Sequence, residues 1–284
     1  MSEKMVQASQ GAALEVAPKR EIIERVQGRI AEMSAQGKIQ MPANYSYQNA
    51  LRSAFLILSE TRGADKRLVL ESCSMESVSN ALLEMVVQGL NPVKKQCYFI
   101  PYGEKLTMMR SYLGTIAITK RIPGVVDVKA YPVYANDVFR MAYDIPTGVF
   151  QVTEYTPDVT KRDAKDLIGA FAMILGKKGV LHTEYMTMEQ IRKSWERGQT
   201  KGKSSAHTDF PDQMAVRTVV NRACKLYAST SSDSDRIAEI LNHREDDEAA
   251  AVAQMEEQEN MEILDIESEL TEVVEEEATS GAPF

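Results

Sequence analysis

The spacing of apolar residues changes twice along this chain, and that double change restricts its fold more than any other feature. Ile22, Val26, Ile30 and Met33 recur at helical spacing within residues 19–37, and Gly37 is a fitting stop. Leu51, Phe55 and Leu58 predict a second helix over residues 47–61. Val78, Leu82, Met85 and Val86 predict a third, capped by Ser74 or Ser77 and closed by Gly89 and Pro92. From Gln96 the pattern turns β-like. Residues 96–102 and 105–110 form a hairpin around Gly103-Glu104, and 125–134 alternate, with Val126, Val128, Ala130 and Pro132 on one side. Residues 139–143 and 150–155 flank the Pro146–Gly148 turn, and 168–175 and 180–186 form another hairpin. Between the first strands, Leu113, Ile116 and Ala117 mark a short helix ending on Lys120-Arg121.

Helical spacing then returns. Thr187-Met-Glu-Gln190 is a capping box that opens a helix over 188–197. Residues 198–207 read as a basic, aperiodic Gly/Ser-rich loop. Pro211 opens a helix over 211–227, with Val216, Val219, Val220, Ala223 and Leu226 as its stripe and Arg217, Asn221 and Lys225 opposite. A short helix is expected from Ser232/Asp233 to Leu241. Helices, then strands, then helices define an α+β fold of antiparallel hairpins, not a doubly wound parallel sheet.

Charge divides the chain differently. The net charge of −8 hides 15 of the 41 acidic residues in 245–284, where no Lys or Arg occurs. Residues 1–244 therefore hold 26 acidic against 33 basic residues and carry +7, while the tail carries −15. A basic body suits a polyanion, and an acidic tail either solubilises or docks a partner. Ile263, Ile266, Leu270 and Val273 suggest a partner-docking helix over 261–274. The expected organisation is a disordered segment 1–18, a polyanion-binding body 19–244, and a flexible acidic tail 245–284.

Several functions lack their residues. Unbroken apolar stretches stay under ten residues, against the roughly 20 a membrane helix needs, and no secretory signal is expected at the N-terminus. Cys73, Cys97 and Cys224 have no paired spacing, which fits a reducing, cytoplasmic compartment, and His182, His207 and His243 lie at no zinc spacing from them. Gly198-Gln-Thr-Lys-Gly202-Lys203-Ser204 imitates a P-loop. It has three residues between its glycines instead of four, and a helix precedes it instead of a strand. Asp158, Asp163 and Lys165 superficially fit a metal-dependent nuclease, but they crowd into one Pro- and charge-rich connection where solvated turns are expected. No cofactor is expected.

What remains is basic charge interleaved with aromatics. Residues 91–130 carry seven Lys and Arg against Glu104 and Asp127, and residues 161–225 carry 13 basic against 7 acidic residues. A basic groove neutralises phosphates, and aromatic faces stack bases without sequence preference. Phe99 and Trp195 fit a core better than a stacking surface, and Tyr112 fits either. The residues expected to meet a nucleic acid are Lys94, Lys95, Lys105, Arg110, Tyr112, Lys120, Arg121, Lys201 and Lys203, with Arg217, Arg222 and Lys225 on a second wall. Solvated helix ends are the plain alternative for Lys120-Arg121 and for Arg217 and Lys225, and the number of such sites in a body of +7 favours nucleic acid.

Gly89-Leu-Asn-Pro92, Cys97-Tyr-Phe-Ile-Pro-Tyr102, Tyr112-Leu-Gly114, Lys120-Arg121 and Tyr131-Pro-Val-Tyr134 with Asp137 and Phe139 stand in an order that resembles the RecT family of phage single-strand annealing proteins. Met188–Ile191, Trp195, Asp209–Met214 and Lys225 extend the resemblance, which covers residues 45–232 and leaves out the first helix and the tail. It implies a Rad52-like β-β-β-α core and an ATP-independent, non-enzymatic protein. Such a protein coats single-stranded DNA as a ring or helical filament and anneals complementary strands during phage homologous recombination in the bacterial cytoplasm. The implied partners are the annealed duplex, a phage exonuclease and the host single-strand-binding protein. Pro123-Gly124 departs from the family's usual polar residues after the basic helix end. The rival function is a metal-dependent nuclease acting on DNA.

Overall fold

A computed structural model describes residues 21–230, apart from 40, 43, 64, 147 and 199. The segment 1–18, the helix expected after Ser232 and the acidic tail with its docking helix lie outside the described residues. The fold is α+β, and its described part divides into two compact units. The first runs to Asp127 and takes in the end of the last helix from Ala228; the second spans Val128–Tyr227.

The first unit opens with helix α1 over residues 21–35, and Gly37 follows it at φ 67°. Ile22, Val26 and Ile30 are buried, as their spacing requires. Helix α2 (Tyr47–Glu60) buries Ala50, Leu51, Ala54 and Leu58. A four-residue helix α3 (Val69–Ser72), too short to leave a periodic signal, precedes α4 (Met75–Val87). The Ser74 hydroxyl caps α4 by accepting from Ser77 N. Strands β1 (Cys97–Tyr102) and β2 (Lys105–Arg110) form an antiparallel hairpin, with Phe99 opposite Met108 and both buried. Helix α5 (Tyr112–Thr119) follows.

Strand β3 (Val125–Tyr134) leads into the second unit, where its neighbours are β6 (Leu167–Gly176) and then β7 (Gly179–Thr187). The hairpin β4 (Val138–Asp144) and β5 (Val149–Thr156) is inserted between β3 and β6. Helix α6 (Met188–Trp195) follows β7, so the order β3, β6, β7, α6 supplies the β-β-β-α pattern around that insertion. Both halves of the Thr187/Gln190 capping box are formed.

Three sequence expectations need correcting. Val126 is exposed and Val133 buried, because the apolar face of β3 changes along its length. The loop 198–207 is not aperiodic throughout: residues 205–209 form helix α7 (Ser205–Asp209), with Ala206 and His207 buried. Helix α8 (Pro211–Thr230) runs further than expected, and its buried side is Met214, Ala215, Val219, Val220, Ala223 and Cys224. Leu226 is exposed, one step off that stripe.

Candidate nucleic-acid interface

In the first unit, the segment from the end of α4 to α5 is a chain of interlocking caps. Gly89, at φ 62°, closes α4: Gly89 N donates to Val86 O at 2.9 Å and Leu90 N to Met85 O at 3.0 Å, a Schellman closure. Leu90 is completely buried, and its carbonyl accepts from the Tyr45 hydroxyl at 2.8 Å. Burial pushes the Tyr45 hydroxyl well above its ordinary pKa, as it does the Cys97 thiol. The Asn91 side chain then accepts from Val93 N at 3.0 Å and caps the 3-10 turn Pro92–Lys94. Each residue of Gly-Leu-Asn-Pro therefore has a distinct backbone task.

The Tyr-Leu-Gly segment is just as constrained. Ser111 caps α5 through Gly114 N at 3.2 Å and donates its hydroxyl proton to Lys95 O at 2.5 Å. Any Cβ on Gly114 would lie 2.1 Å from Gln96 O, so only glycine lets α5 pack against the chain entering β1.

Two of the predicted DNA-binding cations are engaged in this junction. Arg121 donates from Nη1 to Gln88 O and from Nη2 to Gly89 O, both at 2.6 Å, and so satisfies carbonyls at the end of α4. Burial lowers its pKa. Arg110 donates to Gln88 Oε1 and to Thr115 Oγ1, both at 3.2 Å. Gln88, buried and polar, is the hub that the sequence reading missed. Its only signal is its place at the helix end directly before Gly89.

The remaining candidates of this unit reach further out. Lys94 and Lys105 are exposed, and Lys95, at φ 52°, and Tyr112 are half-buried. Lys120, the C-cap of α5, is exposed and pairs with Asp127 at 3.1 Å.

In the second unit, Asp137 anchors the start of the β4–β5 insertion. Its fully buried carboxylate accepts from Tyr134 N at 2.9 Å and Asp158 N at 2.8 Å, with Arg162 3.5 Å away. Arg162 also lies over the Tyr134 ring, 4.4 Å from its centroid. Asp158 and Asp163 accept from nearby backbone N–H groups at Thr160 and Lys165, so both shape turns. Among the described residues no group of three or more His, Cys, Asp or Glu is placed to hold a metal ion.

The basic loop after α6 is tied down by aromatic packing. Trp195 donates to Thr218 Oγ1 at 2.8 Å, packs against Ala206 and Met214, and meets the His207 ring edge-on at 4.6 Å. Its role is core, as its type suggested. His207 Nδ1 and Ser204 Oγ lie 2.6 Å apart. Burial, and then Arg217, hold the His207 pKa below its ordinary value. Lys201, at φ 51°, and Lys203 project from this anchored loop and are exposed. Arg217 and Lys225 are half-buried on α8, and Arg222 pairs with Glu184 at 2.8 Å.

Compared with known families, the chain matches the sequence model of the RecT family over residues 48–263, most of its length. The chain belongs to the RecT family. RecT proteins are DNA-binding proteins of single-strand annealing and recombination. No curated protein matches the chain. The match extends past the resemblance drawn from motifs, which stopped at residue 232, and enters the acidic segment; α1 stays outside it. In this RecT chain two of the motifs that point to the family, Gly89–Pro92 and Tyr112–Gly114, are backbone joints; exposed Lys94 and Lys105 lie between motifs, and exposed Lys120 lies within one. Among the described residues no helix is long and apolar enough to cross a membrane.

Proposed function

We propose that this RecT-family chain anneals complementary DNA strands without ATP and without catalysis, as an oligomer that coats single strands. The observation that carries the reading is the family match together with exposed lysines in both units: Lys94, Lys105 and Lys120 in the first, Lys201 and Lys203 in the second. In this reading they neutralise phosphates, with Lys95, Tyr112, Arg217 and Lys225 at the margins and Arg222 contributing where its pairing to Glu184 allows. Arg110 and Arg121 act as positioning residues, holding the junction from which Lys94, Lys95 and Lys120 project. Bases left unstacked by the protein pair with a second strand. Stacking worth about 1.4 kcal/mol per base-pair step makes pairing itself the energy source.

Residues 19–244 form the binding and assembly body in this proposal. Residues 245–284 meet partners, a phage exonuclease or the host single-strand-binding protein, in the bacterial cytoplasm. The test is annealing of labelled complementary oligonucleotides without nucleotide, with and without magnesium. Annealing in both conditions with intact strands is expected, and Lys203→Ala should show no loss of ATPase activity. Strand cleavage that requires magnesium would instead establish the nuclease.

A further inference from the structure

The connection between α6 and α7 is wound more tightly than a passive link requires. Lys201 N donates to Gly198 O and Lys203 N to Thr200 O, both at 3.0 Å, so two overlapping turns fold it. Lys201 and Gly202 follow each other in the left-handed region, at φ 51° and 70°. Glycine adopts that conformation freely, whereas a lysine keeps it only where its surroundings fix it.

Those surroundings are centred on Trp195. Gly202 lies against the stem of the indole: a Cβ at Gly202 would fall 3.1 Å from Trp195 Cβ. The indole is itself fastened, because Nε1 donates to Thr218 Oγ1 on α8 at 2.8 Å, and Thr218 Oγ1 donates in turn to Met214 O at 2.8 Å. At the far end of the connection, buried Ser204 Oγ meets His207 Nδ1 at 2.6 Å, and the His207 ring packs edge-on against the same indole. Two separate points of the connection, Gly202 and the Ser204–His207 pair, therefore close on one side chain. Between and before them, Lys203 and Lys201 are exposed. Residues 197–208 contain Arg197, Lys201 and Lys203 but no Asp or Glu, and Glu196 and Asp209 bound the stretch. Such charge selects an anion, and a segment already ordered loses less entropy when it binds one.

We propose that Trp195 is a positioning residue for DNA binding: it holds residues 200–204 wound, so that Lys201 and Lys203 meet the phosphates of a strand from a fixed frame. Trp195 touches no base and acts through the two lysines. This role rests on the DNA-binding reading of the proposed function and adds the side chain that aims its cations.

The test is binding of a short single-stranded oligonucleotide to the full-length protein, titrated over salt. Lys201→Ala/Lys203→Ala should flatten the slope of log K against log salt by about 1.4, two phosphates at about 0.7 each. Gly202→Ala keeps every charge but sets a methyl group against Trp195 and strains a left-handed residue, and it should flatten the slope by as much. Gly202 lies outside every helix and strand, so circular dichroism should show an intact fold. Added to the lysine double variant, Gly202→Ala should cost no further affinity, because both changes then remove the same contacts; a lesion of the fold alone would add to the loss. An unchanged slope in Gly202→Ala, or a loss that adds to that of the lysines, would overturn the positioning role. An unchanged slope in the lysine double variant would overturn it as well, by removing this segment from the DNA surface, while wild-type binding would still support the DNA-binding reading. A wild type that binds no oligonucleotide would defeat both.

Discussion

Replacing Arg121 by Ala separates a fold role from a phosphate role. The guanidinium makes two hydrogen bonds of 2.6 Å to Gln88 O and Gly89 O at the end of α4, and it is half-buried. A hydrogen bond to a charged group contributes roughly 1.5–3 kcal/mol, and the truncation also leaves two carbonyls unpartnered. The loss for the pair is therefore about 3 kcal/mol at the lower bound. That corresponds to a fall in Tm of about 10 °C for a domain of this size. Arg121→Lys keeps the charge but cannot bridge both carbonyls in one plane, and should recover about half of the loss. The control is Lys120→Ala. Lys120 is exposed, and its pair with Asp127 is a surface ion pair worth about 1 kcal/mol or less. Thermal unfolding followed by circular dichroism gives the stabilities. Oligonucleotide binding titrated over salt gives the slope of log K against log salt, about 0.7 per phosphate neutralised on a single strand. Lys120→Ala should flatten that slope by about 0.7 with Tm nearly unchanged, and Arg121→Ala should lower Tm and keep the slope. A flattened slope with an unchanged Tm in Arg121→Ala would refute the reasoning and return Arg121 to the DNA surface.

Other expectations are as direct. Gly114→Ala should destabilise the first unit by about 3 kcal/mol or more, because its Cβ would lie 2.1 Å from the Gln96 backbone oxygen; denaturant unfolding reads this, and a variant of wild-type stability would contradict the packing. Burial holds the His207 imidazole below its ordinary value, so the folded state favours the neutral ring. The stability this gives is complete above the unfolded value near ~6.5 and is lost as pH falls through the lowered folded value. Trp195 is the only tryptophan and touches that ring, so its emission should change with a midpoint below pH ~6.5; a midpoint at or above that would contradict the assignment. Deleting residues 245–284 should leave annealing by the isolated protein intact and abolish its cooperation with the partner exonuclease or single-strand-binding protein. Tighter DNA binding by the truncated chain, fading as salt rises, would mean instead that the tail competes for the basic body.

Local rules made much of the fold legible. The stripes of α1, α2 and α4, the caps at Ser74 and Thr187, the turn at Gly103-Glu104 and the hairpin of 168–175 with 180–186 each depend on residues within a few positions of one another. The structure forms them where the pattern puts them. Where the sequence misled, the cause was tertiary. Residues 205–209 have no periodicity of their own, and the short α7 carries Ala206 and His207 against Trp195. Leu226 is as apolar as Val219 but points away from the buried side of α8, because the stripe follows Ala223 and Cys224.

The candidate site was legible in composition but not in direction. An arginine's charge is plain in the sequence, yet the same side chain can neutralise a phosphate or close a helix. In this chain Arg110 and Arg121 donate to Gln88, Thr115 and the end of α4, which supports the positioning role proposed for them over the phosphate role that charge alone suggests. The most recognisable segments carry backbone tasks of their own. Gly89 must be glycine for its backbone, Asn91 must cap, Pro92 must open a turn, and Gly114 must admit a carbonyl. Such requirements allow almost no substitution, so they make sharp motifs. An exposed lysine meeting a phosphate needs only to project from about the right place, and a neighbouring position or an arginine would serve as well. The RecT signature in this chain therefore records how the junction between α4, β1 and α5 is built. Under the proposed function, the residues that touch DNA are tested by the change each makes to the salt slope: Lys94, Lys105 and Lys120 in the first unit, Lys201 and Lys203 in the second.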